Sequence, residues 1–156
     1  MKKIFFTMSL FLFFTSTVLA GVSEEENCQD AINFRAVDIS VDSKTNSLAA
    51  YQIDIRYDKD KVKVVGLEGG SGGFNDPPFY DRAGLEGGRI IIAAFVDDDK
   101  HAKNGKKRVA RLHLQTRGCS PYEFKTKPMV AAKPGGKEIP VDVEVSFIDD
   151  QDVSSR

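Results

Sequence analysis

Two histidines, a run of three aspartates, two cysteines and three clustered aromatics are the residues of this chain whose chemistry could go beyond packing. His101 sits in a charged stretch, and His113 stands on the polar side of an alternating segment beside Arg111 and Gln115. Neither has a Ser, Cys or Asp in a nucleophile context. Zinc needs three or four ligands at suitable spacing, which two separate histidines do not supply. Asp97, Asp98 and Asp99 could offer hard oxygen ligands to calcium, joined by Asp149, Asp150 or Asp152. No Gly and Glu fall where an EF-hand loop needs them, and solvated acidic turns are the plainer reading. The expectation is therefore no catalytic residue, no enzyme and no cofactor, with calcium the one metal the acids would suit. Sugar binding commonly uses aromatic faces, but the chain has no Trp. Tyr51 and Tyr57 share parity with Ile53 and Ile55, which marks them as core. Phe74, Phe79 and Tyr80, around the loop GGSGGFNDPP, are left as candidate carbohydrate contacts, with an apolar plug as the plainer reading.

The first twenty residues read as a targeting segment. Lys2 and Lys3 are followed by the apolar run Ile4–Phe14 and by Val18-Leu19-Ala20, a small-residue cleavage site. The apolar run is too short for a stable membrane span. A cleaved signal peptide and a secreted or periplasmic product are expected, with no membrane span in the mature chain. The signal carries two lysines and no acid, so 20 basic residues remain against 23 acidic ones, a net charge of −3. That balance does not suit a nucleic-acid binder. In an oxidising compartment Cys28 and Cys119 are expected to pair as a disulfide, which would constrain the unfolded chain by about 4 kcal/mol. Two free thiols are the alternative.

The elements that must position these residues are strands. Tyr51, Ile53, Ile55 and Tyr57 alternate with Gln52, Asp54 and Arg56, the period of a strand with one buried face. Asp58–Lys61 turns the chain, and Val62–Leu67 reads as its antiparallel partner. Upstream, Ile32 and Phe34 have one parity and Val37, Ile39 and Val41 the other, which predicts a bulge near Arg35-Ala36. Arg89–Val96 is almost continuously apolar, so its strand is covered on both faces or central. Asn104-Gly105 reads as a hairpin turn. Ala110, Leu112 and Leu114 alternate with Arg111, His113 and Gln115, and Ile139–Phe147 alternates to the end. Lys100–Arg111 is basic but reads as a solvated loop and strand edge. Eight or nine short strands with Gly- and Pro-rich turns predict an all-β antiparallel sandwich of jelly-roll topology. The boundaries are 1–20 for the signal peptide, 21–30 for an exposed leader, 31–149 for the domain and 150–156 for a polar tail.

Four stretches, AYQIDIRYDKDKVKVVGLE, GGRIIIAAFVDDD, KKRVARLHLQTRG and VEVSFIDD, occur in an order and spacing that resemble a cohesin domain across Ile32–Asp149. The resemblance implies a nine-stranded jelly-roll sandwich that is non-catalytic and binds calcium-loaded dockerin modules through one flat sheet face, assembling polysaccharide-degrading enzymes. That face would include the strands over Ala50–Tyr57 and Arg89–Asp97. Carried over by position, its partner-binding residues are Ala50, Gln52, Ala94, Val96 and Asp97. Ala50 and Gln52 stand where cellulosomal cohesins commonly carry Asn and Asp. The function expected is protein–protein recognition of an exported, dockerin-like partner by a monomer, in extracellular polysaccharide degradation. The alternatives are a carbohydrate-binding module that takes polysaccharide directly, and a structural or adhesive envelope component pairing through a sheet edge.

Overall fold

The computed structural model describes residues 28–96 and 102–148. The segment expected to be a signal peptide, His101 and the aspartates at 97, 98, 99, 149, 150 and 152 lie outside the described residues. Eight strands are present among those described: β1 (Ile32–Asp42), β2 (Ala50–Tyr57), β3 (Val62–Gly69), β4 (Phe79–Tyr80), β5 (Arg89–Phe95), β6 (Lys106–Arg117), β7 (Phe124–Ala132) and β8 (Asp142–Phe147). Short 3-10 turns at Cys28–Asp30 and Arg82–Glu86 complete the elements.

The strands form two antiparallel four-stranded sheets, ordered β3-β6-β1-β8 and β4-β5-β2-β7, which face each other as a jelly-roll sandwich. Only β4 and β5 are sequential neighbours in one sheet, so nearly every connection crosses the core. Two sequence expectations change for that reason. Val62–Gly69 is not the hairpin partner of Ala50–Tyr57, because Asp58–Lys61 carries the chain over to the other sheet. Asn104-Gly105 likewise joins strands of different sheets. Gly105 does take a left-handed φ of 77°, and it hydrogen-bonds the Ser43-Lys44 turn. Alternation reports that a strand has one buried face, but not which neighbour lies beside it.

Packing follows the period of two. Val37, Ile39, Ile55, Ile92, Leu112 and Leu114 are fully buried between the sheets. No bulge occurs at Arg35-Ala36, since β1 pairs with β6 without a break from Ile32 to Ile39. Ile32 and Phe34 instead lie on the outer parity of β1 and are exposed. The irregularity falls between Ile39 and Ser40, where β6 inserts an extra residue and buries both Val109 and Ala110. Across the core, the Tyr51 hydroxyl donates to the Val109 carbonyl at 3.0 Å. Burial pushes that phenol up from its ordinary pKa.

The loop after β3 folds back onto the sandwich. A Cβ on Gly69 would meet the Asn75 carbonyl oxygen at 1.9 Å and one on Gly70 the Arg108 carbonyl oxygen at 2.1 Å, so only glycine fits. The approach delivers Phe74 into the core, where its ring meets Tyr51 edge-on at 5.1 Å. Cys28 and Cys119 form a disulfide with Cα atoms 5.2 Å apart, closing a sequence separation of 91 residues. It fastens the chain just before β1 to the β6–β7 connection.

Tyr51→Phe should leave the Val109 carbonyl without its partner and lower the unfolding free energy by about 1–2 kcal/mol, measured by urea denaturation. Reducing the disulfide should cost up to about 4 kcal/mol in the same assay.

Candidate functional site

The outer surface of the β4-β5-β2-β7 sheet is built from the residues that the core leaves over. Tyr51, Ile53, Ile55 and Tyr57 point inward, so Ala50, Gln52, Asp54 and Arg56 lie outward. Register then sets the neighbours. Ala50 lies between Phe95 and Ala132, Gln52 between Ala93 and Val130, Asp54 between Ile91 and Lys127, and Arg56 between Arg89 and Lys125. Phe79 of β4 pairs with Ala93 and extends the second row.

The half of this face toward Ala50 is apolar and open. Phe79 is 70% exposed and Phe95 60%, and their rings stack nearly parallel, 8° apart, with centroids at 6.2 Å. Met129 and Val130 are also exposed, beside a bulge where β7 departs from register with β2. Large apolar side chains gathered on one sheet face are a mark of an interface, since solvation of such a patch is unfavourable.

The other half is charged. Arg56 and Arg89 are directly opposed across strands, an arrangement that would be repulsive by itself. The buried Asp54 carboxylate relieves it. Arg89 donates from Nε to both carboxylate oxygens at 3.1 Å and from Nη2 at 3.0 Å, and Arg56 Nη2 donates at 3.3 Å. The Arg89 hydrogen bonds, followed by Arg56, hold the Asp54 carboxyl below the usual carboxylate range against the opposing effect of burial.

On the outer face of the β3-β6-β1-β8 sheet several charges pair with one another. Arg111 grips Asp38 in a bidentate pair at 2.8 and 3.1 Å, and His113 Nε2 lies 2.8 Å from Glu68. Lys106 meets Glu144 at 2.8 Å, while Lys44 bridges Asp42 and Asp142. His113 therefore stands on a polar strand face. No three His, Cys, Asp or Glu side chains gather as a metal site among the described residues, and no described helix is long and apolar enough to cross a membrane.

The structure brings Ala50 and Gln52 together on the open face and separates them from the other expected partner-binding residues. Ala94 pairs with Tyr51 and, like Val96, packs against the core. The expectation that these two share a face with Gln52 is corrected, because the outward residues of β5 are Arg89, Ile91, Ala93 and Phe95. Asp97 lies outside the described residues. Of the candidate carbohydrate contacts, Phe74 is buried as a core plug and Tyr80 is half-buried against the core, leaving Phe79 alone presented. Sequence reasoning missed Phe95, Met129 and Val130. For Phe95 a signal existed: Arg89, taken as outward, sets Ile91, Ala93 and Phe95 on its side.

Solved structures share this architecture. The cohesin of a type I cohesin–dockerin complex from Clostridium thermocellum superposes with a TM-score of 0.57 at 14% identity, covering 69% of this chain and 82% of that one. A non-cellulosomal cohesin from the archaeon Archaeoglobus fulgidus gives 0.57 at 13% identity, covering 81% and 86%. The seventh ScaB type I cohesin of Pseudobacteroides cellulosolvens gives 0.51 at 11% identity, covering 69% and 74%. The chain thus has a cohesin-like β-sandwich fold. No protein-family model and no curated protein sequence matches it.

Asp54→Asn should lower stability by about 2 kcal/mol at neutral pH, because two opposed guanidiniums lose their shared anion. Since folding depresses this carboxyl's pKa, its contribution is full above the ordinary carboxylate range and disappears as pH falls through the lowered value. The gap between wild type and variant should therefore close on acidification, as read by urea midpoints near pH 7 and toward pH 2.

Proposed function

We propose that the chain is an exported, non-catalytic recognition module that captures a protein partner on the outer face of the β4-β5-β2-β7 sheet. The observation that carries this reading is the exposed apolar field around the stacked Phe79 and Phe95, bordered by Met129 and Val130 on the same sheet face. Fold likeness to a cohesin solved in complex with a dockerin supports a dockerin-like partner and a place in extracellular polysaccharide degradation. The signal-like first twenty residues and the Cys28–Cys119 disulfide support export to a secreted or periplasmic location.

A second reading rests on the same rings. Two nearly parallel, open aromatics could also stack on the apolar face of a sugar, which would make the domain a carbohydrate-binding module.

The test is capture of exported proteins on the immobilised protein, with calcium and again with chelator, for wild type and for Phe79→Ser/Phe95→Ser. Loss of central aromatic contacts is expected to cost at least about 2 kcal/mol, a roughly thirtyfold weaker affinity that shows as lost capture at partner concentrations below the Kd of the variant. Equal capture by wild type and variant would sink the face assignment. Loss on chelation points to a dockerin-like partner, whose fold depends on its metal. Depletion by insoluble polysaccharide with no captured protein would favour the carbohydrate reading.

A further inference from the structure

We infer that the protein recognised on this face presents carboxylates next to an apolar surface, an acidic amphipathic partner; the inference rests on the protein-binding reading above. The chain as a whole is slightly acidic, with net charge −1, yet Arg56, Arg89, Lys125 and Lys127 all stand on one half of one sheet face. The single acid among them, Asp54, is buried and spent on the two arginines. It cannot offer its oxygens to a partner's cation. The guanidiniums remain about half exposed, at 62% for Arg56 and 49% for Arg89, and each keeps N–H donors that Asp54 does not use. Their planes are already oriented, so a carboxylate arriving from a partner meets donors with little rotamer entropy left to lose. Lys125 and Lys127 are exposed and enter no ion pair among the described residues.

Two further acids, Asp58 and Glu123, lie beyond the row at the strand ends, around a cavity of about 380 Å³ that Arg56 and Lys125 also line. They do not interrupt the row itself. The adjoining apolar half selects among anions. A polyuronate chain could neutralise the cations but would leave Phe79, Phe95, Met129 and Val130 uncovered, whereas an amphipathic protein element covers both halves.

The test uses two synthetic amphipathic helical peptides with the same leucine face, one flanked by glutamates and the other by lysines, together with polygalacturonate. Each is titrated into the full chain while backbone amide shifts are followed by NMR. The glutamate peptide is expected to shift amides of Arg56, Lys125 and Lys127 together with those of Ala93 and Phe95. It should bind at least about tenfold tighter than the lysine peptide at low salt, a preference that shrinks as salt shortens the Debye length. Lys125→Glu/Lys127→Glu, which leaves the buried Asp54 cluster intact, should abolish or reverse the preference. Equal binding of both peptides at the apolar half would overturn the inference on polarity while leaving the face itself in use. Binding of polygalacturonate alone would overturn it in favour of an anionic polysaccharide. If neither peptide moves these amides, the inference fails, and the dependence of partner capture on Phe79 and Phe95 decides the face separately.

Discussion

The hydrogen bond from the Tyr51 hydroxyl to the Val109 carbonyl spans the two sheets at the point where β6 bulges. A bulge lifts backbone out of the ladder and leaves polar groups to be satisfied, and inside a sandwich no water is on hand to do so. Tyr51 supplies the donor, and Phe74 packs its edge against the ring. With Tyr51 held inward, the period of two assigns the rest of β2: Ile53, Ile55 and Tyr57 inside, Ala50, Gln52, Asp54 and Arg56 outside. Through register, that parity also dictates which side of β5 and β7 faces solvent. The composition of the open face is thus a consequence of one cross-sheet constraint.

The two outer faces put that exposure to different ends. On the β3-β6-β1-β8 face, Arg111 and Asp38, His113 and Glu68, and Lys106 and Glu144 pair within the sheet. Surface pairs of this kind add little stability each, and Ile32 and Phe34 stand exposed on the same face beside them. On the opposite sheet Asp54 is the one paired acid among the described residues, and it is buried beneath the arginines it serves. The neighbouring ground is occupied by Phe79, Phe95, Met129 and Val130, side chains that a sheet with no further duty would replace by polar residues.

Much of the fold is legible in the sequence, and the reasons it stops being legible are physical. β2 can be read residue by residue because apolar and polar positions alternate, and so can β6 from Ala110 to Thr116, past the bulge at Val109. β5 cannot, since Ile90 to Phe95 is apolar on both parities and hydropathy then holds no information about sidedness; Ala94 is assigned to the wrong face on that account. The β2–β3 pairing fails differently. Two alternating strands joined by a short polar turn have the same pattern whether they lie side by side or across the core from each other. Phe34 misleads in the reverse sense: an apolar residue on the outer parity of β1 imitates a bulge. The disulfide, by contrast, follows from two cysteines in a chain read as exported.

A shared sandwich fixes a backbone but not the side chains that stand on it. At 11–14% identity to the cohesins described above, the backbone is common ground and the side chains of the open face are this chain's own. Ala50 and Gln52 offer one amide where a more polar first strand would offer several hydrogen-bonding groups, so discrimination by a dense polar network across β2 is not available. What the face has instead is a division, with apolar side chains around the stacked rings on one half and a row of cations on the other. A partner laid across the face the wrong way round would bury Arg56 and Arg89 under apolar surface and leave Phe79 against charge. Apolar cover would strip water from the N–H donors that Asp54 leaves unused, a cost that opposes that orientation. The boundary between the two halves, which such an orientation would cross, runs between the Gln52 and Asp54 rows of β2.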